Sequence, residues 1–376
     1  MQIQINEERV LKRLTEMIRI DSVSFHEAPM TDYLEKYFTD LGYEVYRDQA
    51  GQACGCGEAG NLIIHIGGTM PGEAVCLNAH QDTVEPGWGI EPVYDPATRT
   101  LTSKGDTILA ADDKSGIAMI MELLDVLQEN QAEHRDLWLL FTICEENGMY
   151  GAKNLDTARL PVKNICALDG AGTLGRMGRS GAGKDSLKIT FRGRTAHGGI
   201  EPEKGINAIA VCADAISRIK FGRLGPQTTS NIGHIEGGGA TNIVTDEVWF
   251  TCEVRSHTQA EIDAEVQHIM DTCRATAEAW GASCEIELDH FCPPYKPDPD
   301  SFLFTTMQKC YAAEGIEVGF FTSNGSGDNN IFSGLGYHCG GISTGMNAVH
   351  TTGEYLLMED FEKAFRVIYR MLTGRY

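Results

Sequence analysis

The chain has 376 residues, more than one hydrophobic core accommodates and comfortable for two domains. Apolar residues make up 42% and charged residues 22%, ordinary for a globular protein, and the longest apolar run, LWLLFTIC from residue 137, is far short of a membrane span. With 31 basic against 53 acidic residues, the formal charge of −22 argues against nucleic acid or an anionic membrane surface as partner, because neither approaches such a field.

The opening MQIQINEERVLKRLTEMIRI has the spacing of an amphipathic helix, with Val10, Leu11, Leu14, Met17 and Ile18 on one stripe. Its charges run throughout, unlike an export signal. Twelve cysteines lie mostly in apolar segments at no regular spacing, so they read as reduced core thiols of a cytoplasmic protein. A second helical stripe joins Met30, Leu34, Tyr37, Phe38 and Leu41. Strands are predicted at 44–47, 61–66, 74–80, 137–143 and 165–168, with a helix over 114–128 between two of them. This alternation implies an α/β sheet with helices on its faces.

The middle of the chain follows another order. SLKITFRG reads as a strand, 205–220 as a helix, and TTSNIGHIEGG and VTDEVWFTCEVRS as two strands. A helix then carries Ile262, Val266, Ile269 and Cys273 on one face, and SCEIELDH is a strand. The order β-α-β-β-α-β is that of the split βαβ unit in ferredoxin-like α+β domains. FCPPYKPDPDS is a proline-rich exit linker, after which helix–strand alternation resumes through FEKAFRVIYRML. The expected organisation is a larger α/β domain in two parts, 1–183 and 295–376, interrupted by a small domain over 184–294.

Four motifs fail on context. GAGTLG follows a strand with dinucleotide-type spacing, but no helix follows to hold a pyrophosphate. GRSGAGKD has phosphate-loop spacing, yet Asp185 replaces the metal-binding hydroxyl and would repel phosphates. GISTG fits a nucleophile elbow, but MNAV leaves no room for an acid between Ser343 and His350, so a serine hydrolase is a weak rival. Cys54 and Cys56 have no matching second pair, which favours a glycine-rich loop over a zinc knuckle.

One constellation holds. In AVCLNAHQDTVEP a strand ends on His80 and Asp82, which strand alternation points to the same side, with Gln81 opposite. ILAADDKSG offers Asp112 and Asp113 at a helix start, LLFTICEENG offers Glu145 and Glu146 at a strand end, ICALDGAG offers Asp169 at the next, and GMNAVHTTGEY offers His350. Singly, these read as helix caps, solvated loops or a satisfied core histidine. Together they fall where α/β sheets build sites, beyond the carboxyl ends of strands, and two imidazoles with several carboxylates suit zinc or a similar ion. Three coordinating carboxylates, Asp112, Glu146 and Asp169, leave two divalent ions at a net charge of +1, which a bridging hydroxide cancels; a single ion leaves three anions partly unneutralised.

His80-x-Asp82, ADDKSG, EENG, LDGAG, GRTAHGG, ATNIVTD and GMNAVHTTGEY together resemble the co-catalytic dinuclear zinc peptidase family that contains peptidase T, aminoacylase and glutamate carboxypeptidases, most closely its peptidase T-like branch. The resemblance covers essentially the whole chain. It implies a zinc exopeptidase-like catalytic domain, with a mixed sheet flanked by helices, and an inserted ferredoxin-like lid through which the chain forms a homodimer. Asp112 would bridge both zinc ions, with a cis peptide to Asp113. His80 and Asp169 would hold one ion, and Glu146 and His350 the other. Asp82 would orient the His80 ring, and Glu145 would act as general base on a metal-bridging water. His197 would reach the partner's active site and stabilise the oxyanion, while Asn242 and Arg255 would grip the substrate's polar ends. A salt-bridged strand arginine is an equal reading of Arg255.

Two departures stand out: Thr245 replaces a usual proline, and SNGSGDNN breaks the usual glycine–serine–aspartate order, which weakens substrate roles for Ser326 or Asp328. The resemblance implies an aminopeptidase on short peptides. An aminoacylase or deacylase on N-acyl amino acids, or a carboxypeptidase, shares every metal residue. A non-catalytic binding protein would lack a ligand or the base, and none is missing.

Overall fold

The computed structural model describes residues 3–376, so the first two residues of the N-terminal amphipathic stretch lie outside the described residues. The chain divides into two compact units. The first runs to Arg179 and resumes at Lys296–Thr322 and Gly327–Tyr376; the second comprises Ser180–Tyr295 with the short return segment Ser323–Ser326. Among the described residues no helix is long and apolar enough to cross a membrane.

The first unit has the mixed α/β architecture. Its nine-stranded sheet runs Val45–Arg47, Leu62–Ile66, Leu137–Thr142, Val75–His80, Asn164–Ala171, His338–Asn347, Tyr355–Leu357, Thr100–Lys104 and Glu91–Asp95. The four strands from Leu137–Thr142 to His338–Asn347 are mutually parallel, and the flanking pairs are antiparallel. Parallel strands covered on both faces read as continuous apolar runs, which is why all six residues of Val75–His80 are buried. Their shared direction sends four chain segments out at one edge of the sheet.

The helix Ala111–Glu129 packs on the central strands and is almost wholly buried. It begins before the predicted 114, but Asp112 and Asp113 have non-helical backbone angles and the peptide between them is cis. A side chain at Gly116 would meet the Asp113 carboxylate at 2.5 Å and the Leu168 carbonyl at 2.9 Å, so only glycine allows this approach. The amphipathic helices Glu7–Ile18 and Met358–Thr373 bury the predicted Val10, Leu14, Met17 and Ile18, and Phe361, Phe365 and Leu372, in the same core. Hairpin Glu91–Asp95/Thr100–Lys104 was not anticipated, because its strands are short, half-exposed and at the sheet edge.

The second unit is a five-stranded antiparallel sheet in the order Gly222–Arg223, Thr229–Gly237, Glu247–Ser256, Gly183–Arg192, Ser283–Cys292. Alternate residues Leu187, Ile189 and Phe191, and Val248, Phe250 and Val254, pack with helices Ala208–Arg218 and Gln259–Trp280 in a core of their own.

One sequence expectation needs correction. Cys76, Cys166, Cys212, Cys273 and Cys310 are buried thiols, but Cys54 and Cys56 are joined by a disulfide.

Phe141 is fully buried in Leu137–Thr142 and stacks on Phe38 with ring centroids 5.4 Å apart. Phe141→Ala is expected to lower the unfolding free energy by about 3–5 kcal/mol in urea titration, whereas a loss under about 1 kcal/mol would contradict the packing.

Candidate metal centre

The site is built at the carboxyl edge of the parallel strands. His80 ends Val75–His80, Glu145 and Glu146 follow Leu137–Thr142, Asp169 lies near the end of Asn164–Ala171, and His350 follows His338–Asn347. Asp112 reaches the same place from the start of its helix. Residues on these turns that have left-handed backbone despite carrying side chains include Ala110 (φ 61°), Cys144 (φ 48°), Ala348 (φ 50°) and His350 (φ 62°). Such conformations cost about 1–3 kcal/mol each and persist where surrounding contacts enforce them.

Asp112 is the hub. Its Oδ1 lies 3.0 Å from His80 Nε2 and its Oδ2 lies 3.3 Å from His350 Nε2. His350 Nε2 is also 2.9 Å from Glu146 Oε1, and His80 Nε2 is 3.9 Å from Asp169 Oδ1. The donors thus form two groups that share Asp112: His80 with Asp169, and His350 with Glu146. Among the described residues no hydrogen bond or ion pair engages the Glu145 carboxylate; its Oε1 lies where a side chain on Gly327 would meet it at 3.0 Å.

Around these donors a further set of buried carboxylates holds peptide N–H groups. Asp82 meets His80 Nδ1 with its main-chain carbonyl at 3.1 Å and its Oδ1 at 3.3 Å. The same carboxylate accepts the Glu145 N–H at 2.9 Å, the Glu146 N–H at 3.2 Å and the Ser24 hydroxyl at 2.7 Å. Asp113 accepts the His80 N–H at 3.2 Å and the Gly116 N–H at 3.1 Å, so it is the helix cap of the pair while Asp112 faces the histidines. Glu354 accepts the N–H groups of Leu109, Ala110 and Asp112 at 2.8, 2.9 and 3.0 Å. Gln81, on the opposite side of the strand, donates to the Gly60 and Phe141 carbonyls at 3.0 and 2.8 Å.

Crowding of acids sets the electrostatics. Burial pushes Asp169 well above the usual carboxylate range, and the neighbouring Asp112 charge pushes it further. Burial likewise raises Glu145, against the pull of His80, and raises Glu146, against its hydrogen bond from His350. Burial alone would lift Asp112, yet hydrogen bonds from His350 and His80 hold it below the ordinary value. Hydrogen bonds to Asp112 and Glu146 carry His350 up to about 10. Asp328, buried and accepting from Thr142 Oγ1 at 2.6 Å, is pushed up to about 7 by burial.

These residues fit a pair of divalent ions. Ligand atoms about 2.0–2.1 Å from a tetrahedral zinc sit about 3.3 Å from one another, and the donor separations here run from 2.9 to 3.9 Å. Two cations would also offset the negative charge of the crowded carboxylates. His80, Asp112 and Glu146 form one set with ligand atoms within 4.8 Å of one another, and His80, Asp113 and Asp169 another. Asp113 in the second set is already committed to two backbone N–H groups, so Asp112 is the better shared ligand.

The remaining candidates belong to the second unit. His197 is exposed and bridges to Ile243, and the Gly198 N–H donates to the Asn242 carbonyl at 2.8 Å. Arg255 pairs with Glu253 at 2.7 Å and donates to the Asn324 carbonyl at 3.1 Å. Ser343 lies within a sheet strand and donates to the Gly172 carbonyl, which is no nucleophile elbow. Sequence reasoning discounted Asp328 and missed Glu354, which stood inside GMNAVHTTGEY, where no spacing pairs it with residues over 240 positions away.

Asp82→Asn leaves one acceptor where the carboxylate used both oxygens. In chelator competition it is expected to weaken cation affinity about 10–100-fold, and wild-type affinity should rise with pH as the protons on His350 and Asp169 are displaced. Unchanged affinity in the variant, or affinity falling with pH, would contradict this geometry.

Residues 76–374 match the family described as Peptidase family M20/M25/M40. The YqjE protein of Bacillus subtilis strain 168, of uncharacterised function, is 35% identical over 364 residues, 97% of each chain. The crystal structure of aminopeptidase PepT from Bacillus cereus ATCC 10987 superposes with a TM-score of 0.90 at 34% identity, covering 98% of both chains. That of a tripeptidase from Staphylococcus aureus Mu50 does so with a TM-score of 0.92 at 31% identity, covering 99% of both. With the family matched over most of its length, this chain belongs to peptidase family M20/M25/M40.

Proposed function

We propose that this peptidase is a two-zinc aminopeptidase of short peptides, tripeptides foremost. The observation that carries the reading is the division of the Asp112 carboxylate between His80 and His350, beside a Glu145 carboxylate not engaged by either histidine. The aminopeptidase and tripeptidase among its structural neighbours support cleavage from the amino end.

In this proposal His80, Asp169 and Asp112 hold one ion, and His350, Glu146 and Asp112 the other. When bound, the ions supply polarisation of the scissile carbonyl and a more acidic water. Glu145 takes the proton of the attacking water and returns it to the departing amine. Its burial raises its proton affinity above that of an ordinary carboxylate, which suits a group that must hold a proton briefly and release it. Asp82 fixes the His80 ring through Nδ1 and the Glu145–Glu146 turn through its N–H groups. His197 supplies a donor to the developing oxyanion, a contribution worth about 100- to 1000-fold in rate. Asn242 contacts a polar end of the substrate. For Arg255 the Glu253 pairing favours the structural role. The same proposal has the enzyme working in the cytoplasm and dimerising through the inserted unit, where Ile209, Ile235 and Ile243 are exposed.

Assay of a tripeptide panel beside N-acyl amino acids tests this directly. Tripeptides with a free amino terminus should be hydrolysed, activity should vanish with a chelator and return with zinc, and Glu145→Gln should lower kcat about 100- to 10,000-fold. Turnover confined to N-acyl amino acids or to peptides blocked at the amino end would overturn the aminopeptidase reading.

A further inference from the structure

A second group of ligand-type side chains converges in the first unit, apart from the acidic cluster. Cys54 ends the short helix Ala50–Cys54 and Cys56 follows two residues later; Cys144 follows the strand Leu137–Thr142, and Glu27 precedes the helix Ala28–Asp40. The three sulfurs lie within 4.8 Å of one another. Cys56 Sγ is 2.9 Å from Cys144 Sγ, which in turn is 2.9 Å from Glu27 Oε1. Glu27 is fully buried, and its Oε2 has no hydrogen-bond partner. An unpartnered oxygen on a buried carboxylate is costly and calls for a compensating group.

The backbone is shaped for the same convergence. Gly55, at φ 84°, turns the chain between the two cysteines, a conformation glycine adopts freely. Cys144 holds its left-handed backbone with its N–H on Glu27 Oε1 at 3.0 Å. None of these four side chains is a donor in the acidic cluster, and amide hydrolysis as derived above uses none of them.

We infer that Cys54, Cys56, Cys144 and Glu27 form a third cation site, rich in thiolate, for a soft divalent ion such as zinc. Three sulfurs, with the carboxylate that lies against Cys144 as the fourth donor, have the ligand types of that ion, and their summed charge equals that of the common four-thiolate site. Zinc–sulfur bonds of about 2.3 Å place tetrahedral sulfurs about 3.8 Å apart, so Cys56 and Cys144 would separate by about 0.9 Å from their 2.9 Å contact, and Cys54 and Cys56 by more once their bond is reduced. The pair Cys54–Cys56 alone could not form such a site; the third sulfur comes from 88 residues further along the chain. In the disulfide form two ligands are withdrawn. A phosphine reductant and water return them, giving two thiols and the phosphine oxide, after which the ion displaces the thiol protons.

Cobalt(II) titration of the phosphine-reduced chain tests the inference, since the acidic cluster contains no sulfur and only a thiolate site produces a sulfur-to-cobalt charge-transfer band. The wild type is expected to show that band and to bind one equivalent more than Cys54→Ser or Cys56→Ser, both of which lose the band and keep their hydrolytic activity. Cys54 is only partly buried, so its replacement by serine leaves the core intact. Absence of the band in the reduced wild type, or its persistence in both variants, would overturn the site whatever the outcome of the hydrolysis assays.

Discussion

Buried carboxylates constrain this structure more than any other feature. Asp82, Asp112, Asp113 and Glu354 all lie inside the first unit, where an unpaired charge would cost several kcal/mol. Each solves that problem in one of two ways. Asp82, Asp113 and Glu354 spend their oxygens on peptide N–H groups, which fixes the backbone under His80, Asp112, Glu145 and Glu146. Asp112, Glu146 and Asp169 face histidines instead and are left with a charge that only cations of higher valence neutralise well. The first set is the scaffold for the second.

Sheet topology makes this division possible. Four parallel strands deliver their carboxyl ends to one edge, so residues separated by up to 270 positions of sequence meet there. Helix Ala111–Glu129, seated on the same strands, brings Asp112 to that edge, and the glycine at 116 allows the approach. The left-handed residues Ala110, Cys144 and His350 mark where local backbone preference yields to the arrangement of donors.

Much of this was legible in the sequence because the physical signal was local. An apolar run that ends in His80 and Asp82 marks both a buried strand and its exit, and the β-α-β-β-α-β order read from periodicity recurs in the second unit with one added two-residue strand, Gly222–Arg223. Residues that act through the backbone left no such trace. Glu354 caps Asp112 from over 240 residues away, and nothing in the spacing assigned Asp113 to the His80 and Gly116 N–H groups. Cys144 read as the last residue of an apolar strand; its partners Cys56 and Glu27 are each far from it in sequence. The edge hairpin was missed because two half-exposed strands carry little hydrophobic pattern.

The central claim is that one aspartate is shared by two cations. Elemental analysis of the purified chain with its Cys54–Cys56 disulfide intact, which withdraws the thiolate site, beside its Asp112→Ala variant in the same state is the most direct measurement of it. The account predicts two zinc-type ions per chain at the acidic cluster in the wild type and the loss of both in the variant, with the fold retained by circular dichroism. A variant that keeps both ions, or loses one and still cleaves peptides at the wild-type rate, would contradict it.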